Sequence, residues 1–502
     1  MNQLKAGAVL NYIVIVLNIA VGLLYTPYML RMMGQSEYGL YSLVASVIAY
    51  LTVLDLGLGN AVIRYTAKFR AEGKTKEQHE MFGMFLVLYS IISVLALIGG
   101  MVLYLNVNTM FGDTMNTVEL SRARIMMLIL MLNLAISFPM SIFGSIMTAY
   151  ERFVFPKALN ITRIVLNTVV MIVLLEMGYK AVAMVVLQTL FNITTLILNF
   201  IYCKYRLGIK IKFARFQWGF LKEVAIYSFW IFLNVIMDRV YWSTGQFILG
   251  IVAGTAAIAI FAVAIQLHTM YMMFSTAISS LLLPKVTGMV ALHNDNKIIS
   301  DLFIRTGRIQ NTVMAMILLG FLTFGNAFIQ LWAGSQYSDA FPITCLFFIS
   351  LYIPLIQNLG ITILQARNQM KFRSLLYIAI ALVALVAQYY FAKTWGGIGC
   401  AIAISGALFV GQGIIMNIYY QRKQGIQITK FWKEIFKMNL APILLSTIFM
   451  YATHNILINT WSGLAQWIGL YLTLYIAVLF LFSLNSYERS LLTEPLRRVF
   501  KR

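Results

Sequence analysis

Charged side chains are scarce in this sequence: Asp, Glu, Lys and Arg together make up only 11% of its 502 residues. Apolar residues make up 61%, whereas a soluble domain is about half apolar. The mean hydropathy of +0.82 agrees with this excess. These figures exclude a soluble globule. Alternating strands of about ten residues, which a membrane β-barrel requires, do not dominate the sequence, so we predict an all-α polytopic membrane protein.

The sequence also lacks the motifs of common enzymes. Gly73, Lys74 and Thr75 resemble the end of a phosphate-binding loop, but Lys68 occupies the position where the first glycine is required. No two aspartates are two residues apart, the four histidines have no zinc-ligand spacing, and no G-x-S-x-G motif occurs. We therefore predict that the chain is not an enzyme and uses no cofactor or metal.

Cysteine is equally rare, with only three residues in the chain. Cys203, Cys345 and Cys400 lie in or beside apolar runs and have no spacing that indicates a disulfide framework or a metal site. We interpret them as packed, reduced thiols.

What the sequence has in abundance is long apolar runs, each close to the roughly 20 residues that a membrane-spanning helix needs. We predict about fourteen spans, at 7–30, 39–62, 82–105, 124–148, 158–176, 181–203, 224–250, 255–283, 310–332, 341–365, 374–393, 398–420, 438–455 and 464–485. The connections that would lie outside the cell are short and leave no room for a folded external domain.

The basic residues fit this topology. The net charge of +21 raises the question of nucleic-acid binding, but the Lys and Arg residues are concentrated in alternate connections. With the N-terminus in the cytosol, 32 of the 38 basic residues lie inside, five lie outside, and Arg239 is the one left within a span. This is the distribution that the positive-inside rule describes. We predict a multi-pass membrane protein with both termini cytosolic and no nucleic-acid partner.

The sequence also contains an internal repeat. Gly34–Ala45 aligns with Gly254–Ile265, and the same offset pairs Asn18 with Asp238. Pro and Gly residues recur in the same order in the fourth and tenth spans. We predict two six-helix lobes, residues 1–220 and 221–437, followed by two further helices and a basic cytosolic tail in 438–502. In transporters built from such repeats the substrate site lies between the lobes.

One stretch of the chain resembles a known family. TPYMLRMMGQSEYGLYSL, followed by LDLGLGNAVIRY, is similar to the first helical hairpin of the bacterial polysaccharide-unit flippases. These belong to the multidrug/oligosaccharidyl-lipid/polysaccharide exporter superfamily. The resemblance implies a MATE-like, two-lobe bundle of fourteen helices with a central cavity that opens alternately to either face of the membrane.

The resemblance also implies a function. The cargo would be an undecaprenyl-diphosphate-linked oligosaccharide repeat unit for O-antigen or capsule, and the partners would be this lipid-linked substrate, membrane lipids and polysaccharide-assembly proteins. Two alternatives share the fold, a multidrug/cation antiporter and a lipid II-type flippase; Arg239 weighs against a cation cavity. An alternative of another class is a membrane polymerase or ligase for lipid-linked sugars, which the short external loops disfavour.

Polar residues within the predicted spans mark the candidate substrate-binding site, because such residues are costly in hydrocarbon. In the seventh span Asn234, Asp238 and Tyr241 recur at helical spacing and share one face. Arg239 points about 100° away from Asp238 on a helix of 3.6 residues per turn. We place no other basic residue at mid-membrane depth, so Arg239 is the predicted contact for a diphosphate. The alternative is that Asp238 and Arg239 form a structural pair.

Three other spans contribute to the predicted site. Asn18 and Tyr25 form the matching face of the first span, Gln266 and His268 lie in the eighth, and Asp55 lies in the second. Each also has a structural alternative. Asp55 can serve as a packing or hinge residue, His268 as a hydrogen-bonded structural residue, and the amide side chains as bonds between helices.

Overall fold

The computed structural model describes residues 3–213, 218–293, 295–367, 369–453, 456 and 458–490, and within these ranges the regular structure is helical throughout. The helices are α1 (Gln3–Met33), α2 (Gln35–Leu51), α3 (Leu58–Ala71), α4 (Thr75–Leu105), α5 (Val107–Phe111), α6 (Thr117–Ala149), α7 (Val154–Glu176), α8 (Ala181–Tyr205), α9 (Trp218–Trp242), α10 (Thr244–Val252), α11 (Gly254–His293), α12 (Asn296–Trp332), α13 (Ala340–Ile356), α14 (Leu359–Ala366), α15 (Met370–Leu408), α16 (Met416–Arg422), α17 (Ile428–Thr453) and α18 (Trp461–Val478). The predicted all-α class is confirmed.

The number of membrane spans is lower than predicted when length and apolarity are the criteria. Among the described residues eleven helices qualify, or twelve if the pair α13–α14, bent by 48°, is one span. The count of about fourteen is therefore not confirmed. One reason is that Met370–Arg422 forms a single candidate of 53 residues where two spans are predicted, although its backbone leaves the helical conformation at Gly396. The other is that α9, which contains Asp238 and Arg239, is not among the candidates.

The chain divides into two compact units. Unit 1 comprises Met1–Ala262 with Ala392–Gly397, and unit 2 comprises Val263–Phe391 with Ile398–Arg502. The helices α9 and α10 thus belong to unit 1. The boundaries at 220 and 437 were drawn from the sequence repeat and not from contacts, and they stay a prediction.

The proposed repeat has a counterpart in the backbone. Gly34 precedes α2 and Gly254 begins α11, and both have a φ of 81°, a left-handed value that glycine adopts without a steric penalty. The two aligned segments therefore enter their helices through the same conformation. Within unit 1 they also meet, because Gly39 lies directly against the backbone of Thr255 and has no space for a side chain.

In unit 1, α6 is the central helix and packs against α8, α4, α3 and α2. It begins with a capping box in which Asn116 and Glu119 each bond the other's backbone N–H, at 2.9 and 3.0 Å. Close packing relies on small residues, as is usual between membrane helices. Gly100 of α4, for example, lies against Met131 of α6, where an added Cβ would approach the sulfur to 2.9 Å.

In unit 2, α12 is the central helix and packs against α17, α13 and α18. Buried residues of α12, α17, α18 and the segment after α18 form an aromatic-rich core. At one end of this core the buried guanidinium of Arg308 bonds both carboxylate oxygens of Glu488, at 2.6 and 2.8 Å. It also donates to Glu434 at 3.1 Å and to the carbonyl of Ser483 at 3.1 Å. These bonds hold α17 and residues 483–488 onto α12.

Candidate functional site

The second predicted span is a broken helix, and Asp55 lies at the break. A 3₁₀ turn, Thr52–Asp55, follows α2 directly. Leu56 and Gly57 then adopt left-handed conformations, with φ of 53° and 72°, before α3 begins. The half-buried carboxyl group of Asp55 lies beside the backbone N–H of Gly57 and the hydroxyl of Tyr89. Discontinuous helices of this kind form the substrate and ion sites of many transporters.

The helix α9 packs across this break. It contacts α2, α3 and the 3₁₀ turn. At one end Phe220 meets Tyr65 with ring centroids 4.8 Å apart, and just beyond the other end the hydroxyls of Tyr50 and Thr244 are hydrogen-bonded. Asp55 is five residues, or about 8 Å, from Tyr50, and Arg239 is the same distance from Thr244. Asp55 and Arg239 therefore lie on the same side of the Tyr50–Thr244 contact, each five residues from it.

The predicted residues of α9 differ in their surroundings. Asp238 is exposed and Arg239 is half-buried. The Nε atom of Arg239 is itself buried and has no hydrogen-bond partner in the described part of the chain. Tyr241 is fully buried, which indicates a packing role for its ring. The side chain of Asn234 lies outside what the structure describes.

A second set of polar side chains, on α6 and α8, was missed by the sequence analysis. Asn192 donates to Asn133 at 2.8 Å and to Ser137 at 2.7 Å. Gln188, one turn before Asn192, donates to the hydroxyl of Tyr41 at 3.0 Å. All five side chains are half-buried, and the four on α6 and α8 lie well inside predicted spans. The available signal was their spacing of four residues along each helix, which places them on one face.

The two predicted residues of α1 are placed differently from each other. Tyr25 is half-buried, and its hydroxyl is enclosed without a hydrogen-bond partner among the described residues. It lies near Tyr41, at the edge of the polar face of α6 and α8. Asn18 is exposed and has no place in that group. Only Tyr25 therefore joins the polar face.

A further basic residue lies at membrane depth, which corrects the sequence-based view that only Arg239 does. Arg163 was counted with the cytosolic basic residues, although it falls within the predicted span 158–176. The helix α7 begins at Val154, so Arg163 lies nine residues, or about 14 Å, from its start. It is half-buried and donates to Asn160 at 3.1 Å. The apolar run marks a later start than the helix has, because the first turn of α7 contains Lys157.

The depth of Arg163 can be related to α1, because α1 and α7 run in parallel. Lys157 donates to Asn11 at 2.7 Å near one end, and Tyr28 donates to Glu176 at 2.5 Å near the other. Counting six residues onward from the contact between Lys157 and Asn11 leads to Arg163 on α7 and to the residue before Asn18 on α1. Asn18 thus shares its depth with Arg163.

Gln266 and His268 belong to unit 2 and are therefore described separately from the other predicted residues. His268 is buried; its Nδ1 lies 3.2 Å from the carbonyl oxygen of Ile265, and its ring packs on Phe347 at 5.9 Å. These contacts agree with the structural alternative for His268. Gln266 is half-buried.

Solved structures with a similar fold define the class of protein. The lipid II flippase MurJ, in an inward closed conformation, has a TM-score of 0.71 at 16% identity, over 98% of this chain and 99% of that chain. A multidrug resistance MATE family transporter of the MOP superfamily, in an inward-facing conformation, has a TM-score of 0.62 at 15% identity, over 84% and 99%. A MOP superfamily transporter from Pyrococcus furiosus has a TM-score of 0.55 at 14% identity, over 84% and 97%. The chain is a multi-pass membrane protein with the MurJ- and MATE-like fold.

The family follows from the sequence comparison. A family model described as polysaccharide biosynthesis protein matches residues 4–289, which is more than half of the chain, so the chain belongs to this family. No curated protein sequence matches it. The family match confirms the resemblance found in the first hairpin, and the fold is that of flippases and transporters rather than of an enzyme.

Proposed function

We propose that this protein moves undecaprenyl-diphosphate-linked oligosaccharide repeat units from the cytosolic to the periplasmic leaflet of the bacterial inner membrane, by alternating access, for the assembly of O-antigen or capsule. Membership of the polysaccharide biosynthesis family carries this proposal. The transporter fold supports flipping as the step that the protein contributes.

The polar residues at membrane depth are consistent with this cargo. A sugar head group needs a hydrated path across the bilayer, whereas its lipid tail can stay in hydrocarbon. The half-buried polar face of α6 and α8 offers hydroxyl and amide groups, which are suited to a sugar. The diphosphate needs cations, and Arg239 and Arg163 are the residues that we propose to supply them. The other predicted residues, Asn234, Asp238, Asn18, Asp55 and Gln266, remain proposed substrate contacts.

A lipid II-type flippase is the second candidate. The fold similarity to MurJ extends over 98% of this chain, while that to the multidrug transporter extends over 84%. Lipid II shares with the first proposed cargo a polyprenyl tail, a diphosphate and a sugar head group, so the same cationic and polar groups would serve it.

Deletion of the gene distinguishes these candidates. We expect surface polysaccharide to disappear while synthesis of the repeat unit continues, so that lipid-linked units accumulate on the cytosolic leaflet. Accumulation of peptidoglycan precursors instead would identify lipid II as the cargo. If units reached the outer leaflet normally but stayed unpolymerised, the flippase proposal would be refuted in favour of a polymerase or ligase.

We propose that both termini lie in the cytosol, and labelling of single cysteines tests this orientation. We expect an impermeant thiol reagent to label Ser335→Cys and Asn459→Cys from the periplasm, since both positions are exposed. Glu72→Cys, exposed between α3 and α4, is the matched control and should be labelled only from the cytosol. The native cysteines are replaced first. Labelling of Ser335→Cys from the cytosolic side would reverse the assigned topology.

A further inference from the structure

A crevice of about 590 Å³ opens at the end of unit 1 where α2 and α8 begin. It lies among the first turn of α2, the first turns of α6 and α8, and the loop between α7 and α8. None of the residues assigned above to the transport site lines it. It therefore offers a separate binding site.

The mouth of the crevice is basic. Arg122 and Lys180 line it, and one carboxylate, that of Glu37, lies behind them. Glu37 is buried, forms an ion pair with Arg122 and accepts a hydrogen bond from the backbone N–H of Ala181 at 3.3 Å. Its negative charge is therefore compensated by groups of the protein itself. The side chain of Arg122 is still 45% exposed, and Lys180 is exposed as well.

The wall below the mouth is apolar. Val182, Val186 and Leu190 follow one another at four-residue spacing on α8, with Leu174 of α7 also lining the crevice. Leu190 lies nine residues, or about 14 Å, beyond the start of α8, roughly half the thickness of a hydrocarbon core. The crevice therefore passes from a cationic mouth to an apolar slot over the depth of one leaflet.

We propose that the crevice binds an anionic phospholipid of the adjacent leaflet, with the phosphate at Arg122 and Lys180 and an acyl chain along α8. The mouth presents two exposed cations, whereas its one carboxylate faces inward. It therefore favours a lipid of net negative charge over a zwitterionic lipid, because the two cations would repel the positively charged group of a zwitterionic headgroup. The apolar wall favours a lipid over a soluble anion, since a soluble anion would leave it uncovered.

The experiment compares phosphatidylglycerol with phosphatidylcholine of the same acyl chains, titrated onto the purified full-length protein in detergent. Bound lipid is counted by native mass spectrometry, and the shift in the thermal unfolding midpoint is measured in parallel. We expect phosphatidylglycerol to bind more tightly than phosphatidylcholine by about fivefold, because Arg122 is paired with Glu37 and the remaining net charge is that of one basic residue, Lys180, which contributes about fivefold. Equal binding of the two lipids would overturn the proposal.

Two variants assign the binding to the crevice. Lys180→Glu should reduce the preference for phosphatidylglycerol at least fivefold, whereas Lys393→Glu, a matched exposed lysine outside the crevice, should leave it unchanged. Ala183→Phe fills the slot without altering any charge and should weaken binding of both lipids. Arg122 is left intact because it neutralises the buried Glu37.

The remaining outcomes are decisive against the proposal. An equal loss in Lys180→Glu and Lys393→Glu would show that the attraction is diffuse and that no site exists. Retained binding in Ala183→Phe would place the lipid elsewhere. Tighter binding of undecaprenyl phosphate than of phosphatidylglycerol, lost in the same variants, would assign the crevice to a polyprenyl lipid instead.

Discussion

Replacement of Arg308 by alanine is expected to lower the free energy of unfolding of unit 2 by about 3–5 kcal/mol, the usual effect of removing one partner from a buried ion pair. The side chains of Arg308 and Glu488 are only 8% and 4% exposed, and two bonds of 2.6 and 2.8 Å join them. Without the guanidinium, the carboxylate of Glu488 stays enclosed and uncompensated. Denaturant unfolding of the purified protein in detergent, followed by tryptophan fluorescence, measures the change.

A neighbouring ion pair between α12 and α17 provides the control. Lys430 of α17 and Asp301 of α12 are 3.1 Å apart, but their side chains are 53% and 56% exposed. Lys430→Ala should therefore change the free energy of unfolding by no more than about 1 kcal/mol. Losses of equal size in the two variants would show that the burial of Arg308 contributes nothing. A second variant, Arg308→Met with Glu488→Leu, should recover most of the lost stability because it removes both buried charges, while the carboxylate of Glu434, which also loses its bond, is 35% exposed.

Long-range polar contacts of this kind could not be predicted from the sequence. Arg308 and Glu488 are 180 residues apart, and no local pattern joins them. Glu37 and Arg122 pair in the same way in unit 1. Sequence position indicates that a charge lies near the end of a span, but the identity of its partner depends on how the helices pack.

The helical architecture was predictable because the bilayer imposes it. A segment that crosses hydrocarbon must satisfy its own backbone, so each long apolar run has to form a helix. Helix ends and breaks follow other rules. Polar residues can occupy the first turns, as Lys157 does in α7, and a glycine can interrupt a helix without interrupting its apolarity, as Gly396 does in α15. The exact number of spans depends on these features.

The candidate site was predicted in part. An isolated polar residue in an apolar run is easily recognised, which is how Asp55 and Arg239 were found, and the structure packs α9 across the helix break at Asp55. Asn133 and Asn192 were missed, since their importance depends on a bond between two helices. Arg163 was missed because it was counted with the cytosolic basic residues, although it falls within the predicted span 158–176. The role of each residue in binding substrate stays a proposal.

Replacement of Arg239 by alanine is expected to leave membrane abundance close to that of the wild type and to slow transport of lipid-linked units by roughly 10- to 100-fold. This range corresponds to the loss of one charge-assisted hydrogen bond of about 1.5–3 kcal/mol. Arg239→Lys should restore transport only in part, because an ammonium group lacks the forked donors that match a diphosphate. Arg152→Ala, an exposed basic residue between α6 and α7, is the control and should transport normally.

The double variant Asp238→Asn with Arg239→Gln separates a substrate role from a structural one. If the two charges only compensate each other, each single variant leaves a lone charge in the membrane, which costs at least about 2.5–3.5 kcal/mol and lowers protein levels, and the double variant restores both abundance and transport. If Arg239 binds the diphosphate, the double variant is abundant but transports as poorly as Arg239→Ala. The unpartnered Nε of Arg239 leads us to expect the second result. Transport is compared at matched abundance in the membrane, and wild-type transport by the double variant would refute the proposed contact with the diphosphate.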